Sequence, residues 1–196
     1  MEKLKNIAVM ASGNGSNFQA IVEAVKRGKI KAKLKLLVSD NPRAYCLQRA
    51  VKAKVKVFIA DRRDFLNKKD FETQIIKKLK AEKIDLVVLA GFMRVLSPYF
   101  VRQYKKKILN IHPALLPAFK GARAIEDAFK RGVKVTGVTV HFVDEEVDHG
   151  PIISQEALKI YEKDTLKSLE QRVHRLEHKL YPQALRLALF QHRGAA

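Results

Sequence analysis

Hydrophobic and polar positions alternate along this chain in two rhythms, one of strands and one of helices. A strand is expected over about Asn6 to Met10, apolar from Ile7 onward, and a glycine turn follows it. A helix is expected from about Ser16 to Arg27. In Lys31-Ala-Lys-Leu-Lys-Leu36, and again in Lys52-Ala-Lys-Val-Lys-Val57, lysines take every second place. That period of two predicts strands with one buried and one wet face, and the lysines discourage edge-to-edge pairing. The first lysine strand leads to Val38. Pro42 then opens a helix near Arg43 to Lys52, and a third strand runs from about Lys54 to Ile59. Asp61 or Asp64 caps the next helix, which reaches about Lys80. Asp85-Leu-Val-Val-Leu-Ala90 is apolar almost throughout, as in a central parallel strand covered on both faces. Ser97-Pro98 starts a short helix, and Ile108 to Ile111 forms another short strand.

The last third changes character. Val135 to Val143 and Pro151 to Ile160 read as strands that are not each followed by a helix, so an antiparallel extension of the sheet is expected. A long helix then begins with Asp164 as its N-cap. The pattern predicts an α/β fold: an open, mostly parallel twisted sheet with helices on both faces and an antiparallel C-terminal extension. With 196 residues and no internal repeat or linker, a single domain spanning 1–196 is expected.

Composition narrows the function classes. Hydrophobic residues make up 47% and charged residues 30%, unlike a disordered or membrane chain. The longest apolar stretch, Leu86 to Met93, is too short to span a membrane, and the N-terminus does not read as a signal peptide. A cytoplasmic location is therefore expected. Cys46 is the single cysteine, which excludes an internal disulfide; no zinc-finger spacing is present, and no metal is expected. Lys plus Arg total 39 against 20 acids, a formal charge of +19. The lysines are spread over strands and over helix surfaces such as Lys77, Lys78 and Lys80. A solvated surface that attracts anionic metabolites is favoured over a nucleic-acid patch.

Four constellations could carry chemistry. In Ser12-Gly-Asn-Gly-Ser-Asn17, glycines between strand and helix let backbone N–H groups close on an anion at a helix N-terminus. It lacks the third glycine of a dinucleotide fingerprint and the lysine of a P-loop, so an ordinary strand-to-helix turn stays open. In Asn110-Ile-His-Pro-Ala-Leu-Leu-Pro117, an extended backbone sends Asn110 and His112 to one side, at the sheet end where such folds bind ligands. A neutral amide beside an imidazole can polarise a carbonyl and move a proton, while a histidine simply satisfied by a backbone partner beside a rigid loop stays open. Asp144-Glu-Glu-Val-Asp-His-Gly-Pro151 is acidic in a basic protein; it is either a plain loop or a carrier for Asp148 to orient His112. In the last helix Leu166, Leu169, Val173, Leu176 and Leu180 form an apolar stripe with Glu177 on its margin. Glu177 is either a lysine-paired surface acid or a ligand carboxylate facing a cleft. Among the other histidines only His141, in a strand leading to the acidic loop, is a second-tier candidate. Cys46 is expected in a helix away from every motif.

Together these segments, with Leu89-Ala-Gly-Phe-Met-Arg-Val-Leu-Ser-Pro98, Thr136-Gly-Val-Thr-Val-His-Phe-Val143 and Glu177-His-Lys-Leu-Tyr-Pro182, resemble the phosphoribosylglycinamide formyltransferase family. They occur in the family's order over nearly the whole chain. The resemblance implies a Rossmann-like formyltransferase fold and formyl transfer from 10-formyltetrahydrofolate to the amine of phosphoribosylglycinamide in purine synthesis. It implies that Gly15, Ser16, Asn17 and Glu177 hold the ribotide, and that Met93, Arg94, Val95 and Leu96 face the folate. Asn110 would contact the formyl group, His112 would donate a proton, and Asp148 would support that histidine. Lys68 is the nearest match to an arginine that touches the folate tail in some relatives.

The sequence departs from the family at His149, where a small residue is usual. Formyltetrahydrofolate hydrolase shares the turn and the trio but carries an extra N-terminal domain, for which a first strand at Asn6 leaves no room. Methionyl-tRNA formyltransferase carries an added C-terminal RNA-binding domain. A non-catalytic basic RNA-binding protein would account for the charge but not for the trio, and no aromatic RNA-binding signature is present. Two small molecules, with no nucleic acid or membrane, are therefore the expected partners. Arg94, Ser97-Pro98 or the lysine strands could line a homodimer contact.

Overall fold

A computed structural model describes residues 4–191. Thirteen α and β elements follow in the order β1 (Lys5–Met10), α1 (Ser16–Lys26), β2 (Ala32–Ser39), α2 (Tyr45–Lys52), β3 (Lys56–Ile59), α3 (Lys68–Ala81), β4 (Leu86–Leu89), α4 (Pro98–Gln103), β5 (Ile108–His112), α5 (Ala124–Arg131), β6 (Val135–Phe142), β7 (Ile152–Lys159) and α6 (Leu166–Gln191). One seven-stranded sheet has the order β3-β2-β1-β4-β5-β6-β7. Strands β1 to β5 pair in parallel, and β6 and β7 add antiparallel. The chain reverses direction across the sheet beside β1, which leaves a crevice at the carboxyl ends of β1, β4 and β5.

Strand periodicity sorts the core into two layers. Ile7, Val9, Leu37, Val88, Leu109 and Ile111 pack toward α1, α2, α5 and α6. Ala8, Met10, Val38, Val87 and Ile108 pack toward α3 and α4. Each fully buried Leu, Ile or Phe in these layers contributes roughly 1.5–3 kcal/mol of transfer free energy. The stripe of α6 is buried as its spacing requires, with Leu169 and Val173 at 0% exposure. Tyr181 belongs to the same buried face. Its hydroxyl bonds to the carbonyl oxygens of Leu89 (2.7 Å) and Leu109 (3.3 Å), tying α6 to the strands that border the crevice.

Several local expectations shift. The second lysine alternation is not a strand: Lys52 ends α2, Lys54 has a left-handed φ of 59°, and β3 begins only at Lys56. Period two over six residues was imitated by a helix end followed by a turn. The first alternation lies in β2, an interior strand, yet β3 covers only Leu36–Ser39, so the lysine-bearing start of β2 does lie at a free edge. Helix α2 starts at Tyr45 rather than beside Pro42, because the Asn41 side chain accepts the Arg43 N–H and holds a turn there. Asp61 caps only a short 3-10 turn, Arg62–Asp64; Asn67 caps α3. Helix α5, between β5 and β6, had no counterpart in the pattern. Asp164 is not the cap of α6. Thr165 accepts the Ser168 N–H and Ser168 accepts the Thr165 N–H, a reciprocal box. Asp164 instead anchors the preceding turn by accepting the Tyr161 N–H and pairing with Arg172.

Candidate active site

A cleft of about 550 Å³ opens at the carboxyl ends of β1, β4 and β5. Its walls bring together four segments that are remote in sequence: the turn after β1, the loop after β4, the ends of β5 and β6 with the acidic loop, and one face of α6.

The catalytic candidates sit where β5 meets β6. Antiparallel register places His141 beside Asn110 and Thr139 beside His112. Asn110 Nδ2 donates to Asp148 Oδ1 (3.3 Å) and lies 3.2 Å from His141 Nε2. His112 Nδ1 lies 3.3 Å from Asp148 Oδ2, and its Nε2 donates to the Phe119 carbonyl oxygen at 2.7 Å. With a carboxylate on one side and a carbonyl on the other, both contacts are satisfied when each ring nitrogen bears a proton. His112 and His141 are 3% and 1% exposed. His141 Nδ1 donates to the Phe142 carbonyl, which turns Nε2 toward Asn110 and Asp148.

Asp148 is held by its backbone as much as by its partners. It adopts a left-handed φ of 49°, and its Oδ2 accepts the Gly121 N–H at 2.8 Å. Gly150 is required two residues on, since a Cβ there would run into the Phe142 carbonyl oxygen. Burial alone would push the Asp148 carboxyl up. The hydrogen bond with His141, the Gly121 N–H and the charges of both histidines outweigh it, so the acid titrates below the usual carboxylate range. His149 faces the other way: its Nδ1 pairs with Asp144 at 2.8 Å on the exposed side of the loop. The departure at position 149 thus braces the loop rather than entering the cleft.

The turn after β1 forms the opposite wall. Gly15 has φ +73°, and a Cβ there would lie 2.5 Å from the Cys46 Cβ. The Cys46 N–H also donates to the Gly13 carbonyl at 3.0 Å. Cys46 therefore does not stand away from the motifs; it is the packing partner that fixes the turn. Its thiol is fully buried, and burial pushes it up. Ser12 joins this turn to the next wall, because its Oγ accepts the Met93 N–H at 2.9 Å.

Asn17 and Glu177 meet across α1 and α6, with Nδ2 donating to Oε2 at 3.1 Å. His174 donates to the same oxygen at 2.9 Å. Glu177 is 5% exposed with no lysine partner, which decides against the surface reading. The Asn17 Oδ1 is buried and has no hydrogen-bond partner among the described residues. His174, assigned no role by sequence pattern, lines the cleft here; the Glu177 hydrogen bond raises it above the ordinary histidine range despite burial.

Met93 and Val95 line the cleft while 69% and 59% exposed, an apolar strip open to solvent. Leu96 is buried beneath them. Buried Glu72 of α3 anchors the end of this strip by accepting both the N–H and the hydroxyl of Ser97. Arg94 also borders the cleft, but its guanidinium is committed to Asp40 at 2.5 Å and lies over the Phe71 ring. Lys68, the residue expected near the folate tail, is the first residue of α3, exposed, and not among the cleft's lining residues.

The formyl transferase family profile matches residues 5–185. The chain belongs to the formyl transferase family. It is 47% identical over 186 residues to phosphoribosylglycinamide formyltransferase of Bacillus subtilis strain 168, covering 95% of each chain. It is 42% identical to a segment of the human trifunctional purine biosynthetic protein adenosine-3, covering 95% of this chain and 18% of that protein. Among solved structures, glycinamide ribonucleotide transformylase 1 of Geobacillus kaustophilus superposes with a TM-score of 0.93 at 47% identity, over 95% of this chain and 100% of that one. Phosphoribosylglycinamide formyltransferase of Bacillus halodurans gives 0.91 at 44% identity, over 93% and 94%. The mostly parallel sheet with its antiparallel end is the formyl transferase fold.

Proposed function

We propose that this chain transfers the formyl group of 10-formyltetrahydrofolate to the amine of phosphoribosylglycinamide, a step of purine biosynthesis. The observation that carries the reading is the convergence of Asn110, His112 and Asp148 opposite the Asn17–Glu177 pair, within one cleft. The cleft fits both substrates. The unpartnered Asn17 Oδ1 and the Glu177 carboxylate accept hydrogen bonds from sugar hydroxyls or an amine, and the backbone N–H groups of Gly15, Ser16 and Asn17 at the start of α1 suit the phosphate. The strip of Met93, Val95 and Leu96 offers an apolar bed for a folate ring system.

In this reading the ribotide amine attacks the formyl carbon. The new C–N bond forms as the carbonyl oxygen gains charge; the bond to the folate N10 then breaks, and the proton lost by the attacking nitrogen ends on N10. Asn110 Nδ2 donates to the developing oxyanion, giving up its longer contact, the 3.3 Å one with Asp148. Such a donor is worth about 10²–10³ in rate. His112, held against Asp148, supplies a positive group beside that neutral amide and relays the proton. Its Nε2 proton is engaged by the Phe119 carbonyl in this state, so proton delivery through Nε2 requires that contact to open. The remaining acceleration comes from holding two substrates in one cleft. The same reading makes the chain a single-domain cytoplasmic enzyme whose partners are small molecules; no described helix is long and apolar enough to cross a membrane.

The test is a spectrophotometric assay of a 10-formyl folate with and without the ribotide. Folate release that depends on the ribotide supports transfer. Equal release without it makes the chain a hydrolase and overturns the reading.

A further inference from the structure

A second cavity, of about 530 Å³, lies between α1 and α6 and is separate from the cleft. Arg27 and Lys29, at and beyond the end of α1, face Lys179 and Arg186 of α6 across it, with Glu23 as the one acid in its lining. Arg27 leans on Glu23 at 3.9 Å, and Lys179 pairs with Glu156 at 2.9 Å. Lys29 and Arg186 have no ion-pair partner among the described residues. Cations elsewhere on this surface are treated differently: Lys35, Lys56 and Lys78 converge on a single acid, Glu82.

The floor of the groove adds a second, independent observation. His178 lines it, and its Nε2 is shielded from solvent with no hydrogen-bond partner among the described residues. Pro182, one turn on, lacks the N–H that would bond the His178 carbonyl, and with Ala20 and Ala24 it keeps long side chains off the floor. A concave surface lined by one sign of charge concentrates counter-ions.

We propose that this groove is a second binding site, for a small phosphate-bearing anion, held by Lys29 and Arg186 at the rim, with the His178 ring forming part of its floor. The ligand class follows from the cations: two unpaired ones separated across a concave surface match a multiply charged oxyanion better than a single carboxylate. Burial lowers His178 below the ordinary histidine range; Glu177 works against that, while His174 and Arg49 add to it. An anion placed among these groups would favour the charged ring and move its titration upward.

Inorganic pyrophosphate serves as the probe, titrated calorimetrically into enzyme saturated with the ribotide so that the catalytic cleft is filled. Imidazole proton resonances are followed in parallel. One site per chain is expected, with an upward titration shift at His178 that exposed His149 does not share. The K29E/R186E variant should weaken binding by about tenfold or more while leaving formyl transfer unchanged. The K29A/R186A variant repeats the comparison without charge reversal. Absence of binding overturns the proposal. So does binding that persists in both variants and shifts all histidines alike, which is diffuse attraction to the basic surface. Loss of formyl transfer activity in wild-type enzyme would bear on the catalytic reading and not on the groove.

Discussion

The two walls of the cleft are built on opposite principles. Where β5 meets β6, the polar atoms of Asn110, His112, His141 and Asp148 satisfy one another, and the acid is pinned by a backbone N–H. Across the cleft, where α1 meets α6, Asn17 keeps a buried acceptor with no partner among the described residues. The first wall is organised before substrate arrives; the second is completed by substrate. A preorganised network acts on the rate, and an incomplete seat acts on affinity. Substitutions in the two walls should therefore separate into kcat and KM effects.

The largest effect should be that of His112→Ala, a fall in kcat of about 10²–10⁴, with Asn110→Ala next at about 10²–10³, both with ribotide KM nearly kept. Steady-state kinetics checks this, and a pure KM effect in either would erase the contrast between the walls. Asp148→Asn should lower kcat and move the activity profile to lower pH, since the imidazolium loses its counter-charge. Glu177→Ala should weaken ribotide binding by about tenfold to a hundredfold, as befits lost bonds to a charged group, and leave folate binding unchanged by calorimetry. Gly15→Ala should destabilise through the turn, by more than about 1 kcal/mol, because its φ is left-handed and the new methyl meets Cys46. Thr165→Ala, which uncaps α6 far from the reacting groups, should cost about 1 kcal/mol in denaturant unfolding with kcat unchanged.

The walls also differ in their response to pH. Asp148 titrates below its unfolded value, so its stabilising contribution is complete above about pH 4 and is lost as pH falls through the folded value. His174 titrates above its unfolded value, so its contribution is complete below about pH 6.5 and is lost as pH rises through the folded value. Unfolding curves across pH should show Asp148→Asn flattening the acid side and His174→Gln the alkaline side. The reverse assignment would contradict both networks.

Sequence reasoning succeeded where chemistry is local. The alternation of strands and helices, the turn after β1, and the shared orientation of Asn110 and His112 each depend on a few consecutive residues and their period. It failed where two local signals compete. Lysines at every second place look the same in a strand as across a helix end and a turn, and Asp164 is as good a cap by type as Thr165. Only the capping hydrogen bonds distinguish the second pair.

Residue order also determined which side chains were available to react, because motifs of the right types stood at the ends of the right strands. It could not determine that Asp148 reaches His112, that Cys46 supports Gly15, that His174 and His141 join the cleft, or that Lys68 does not. Those contacts span tens of residues and are created by sheet order, antiparallel register and the docking of α6 through Tyr181. Side-chain type is a property of the chain, whereas distance between remote groups exists only once burial of the core has fixed the layers.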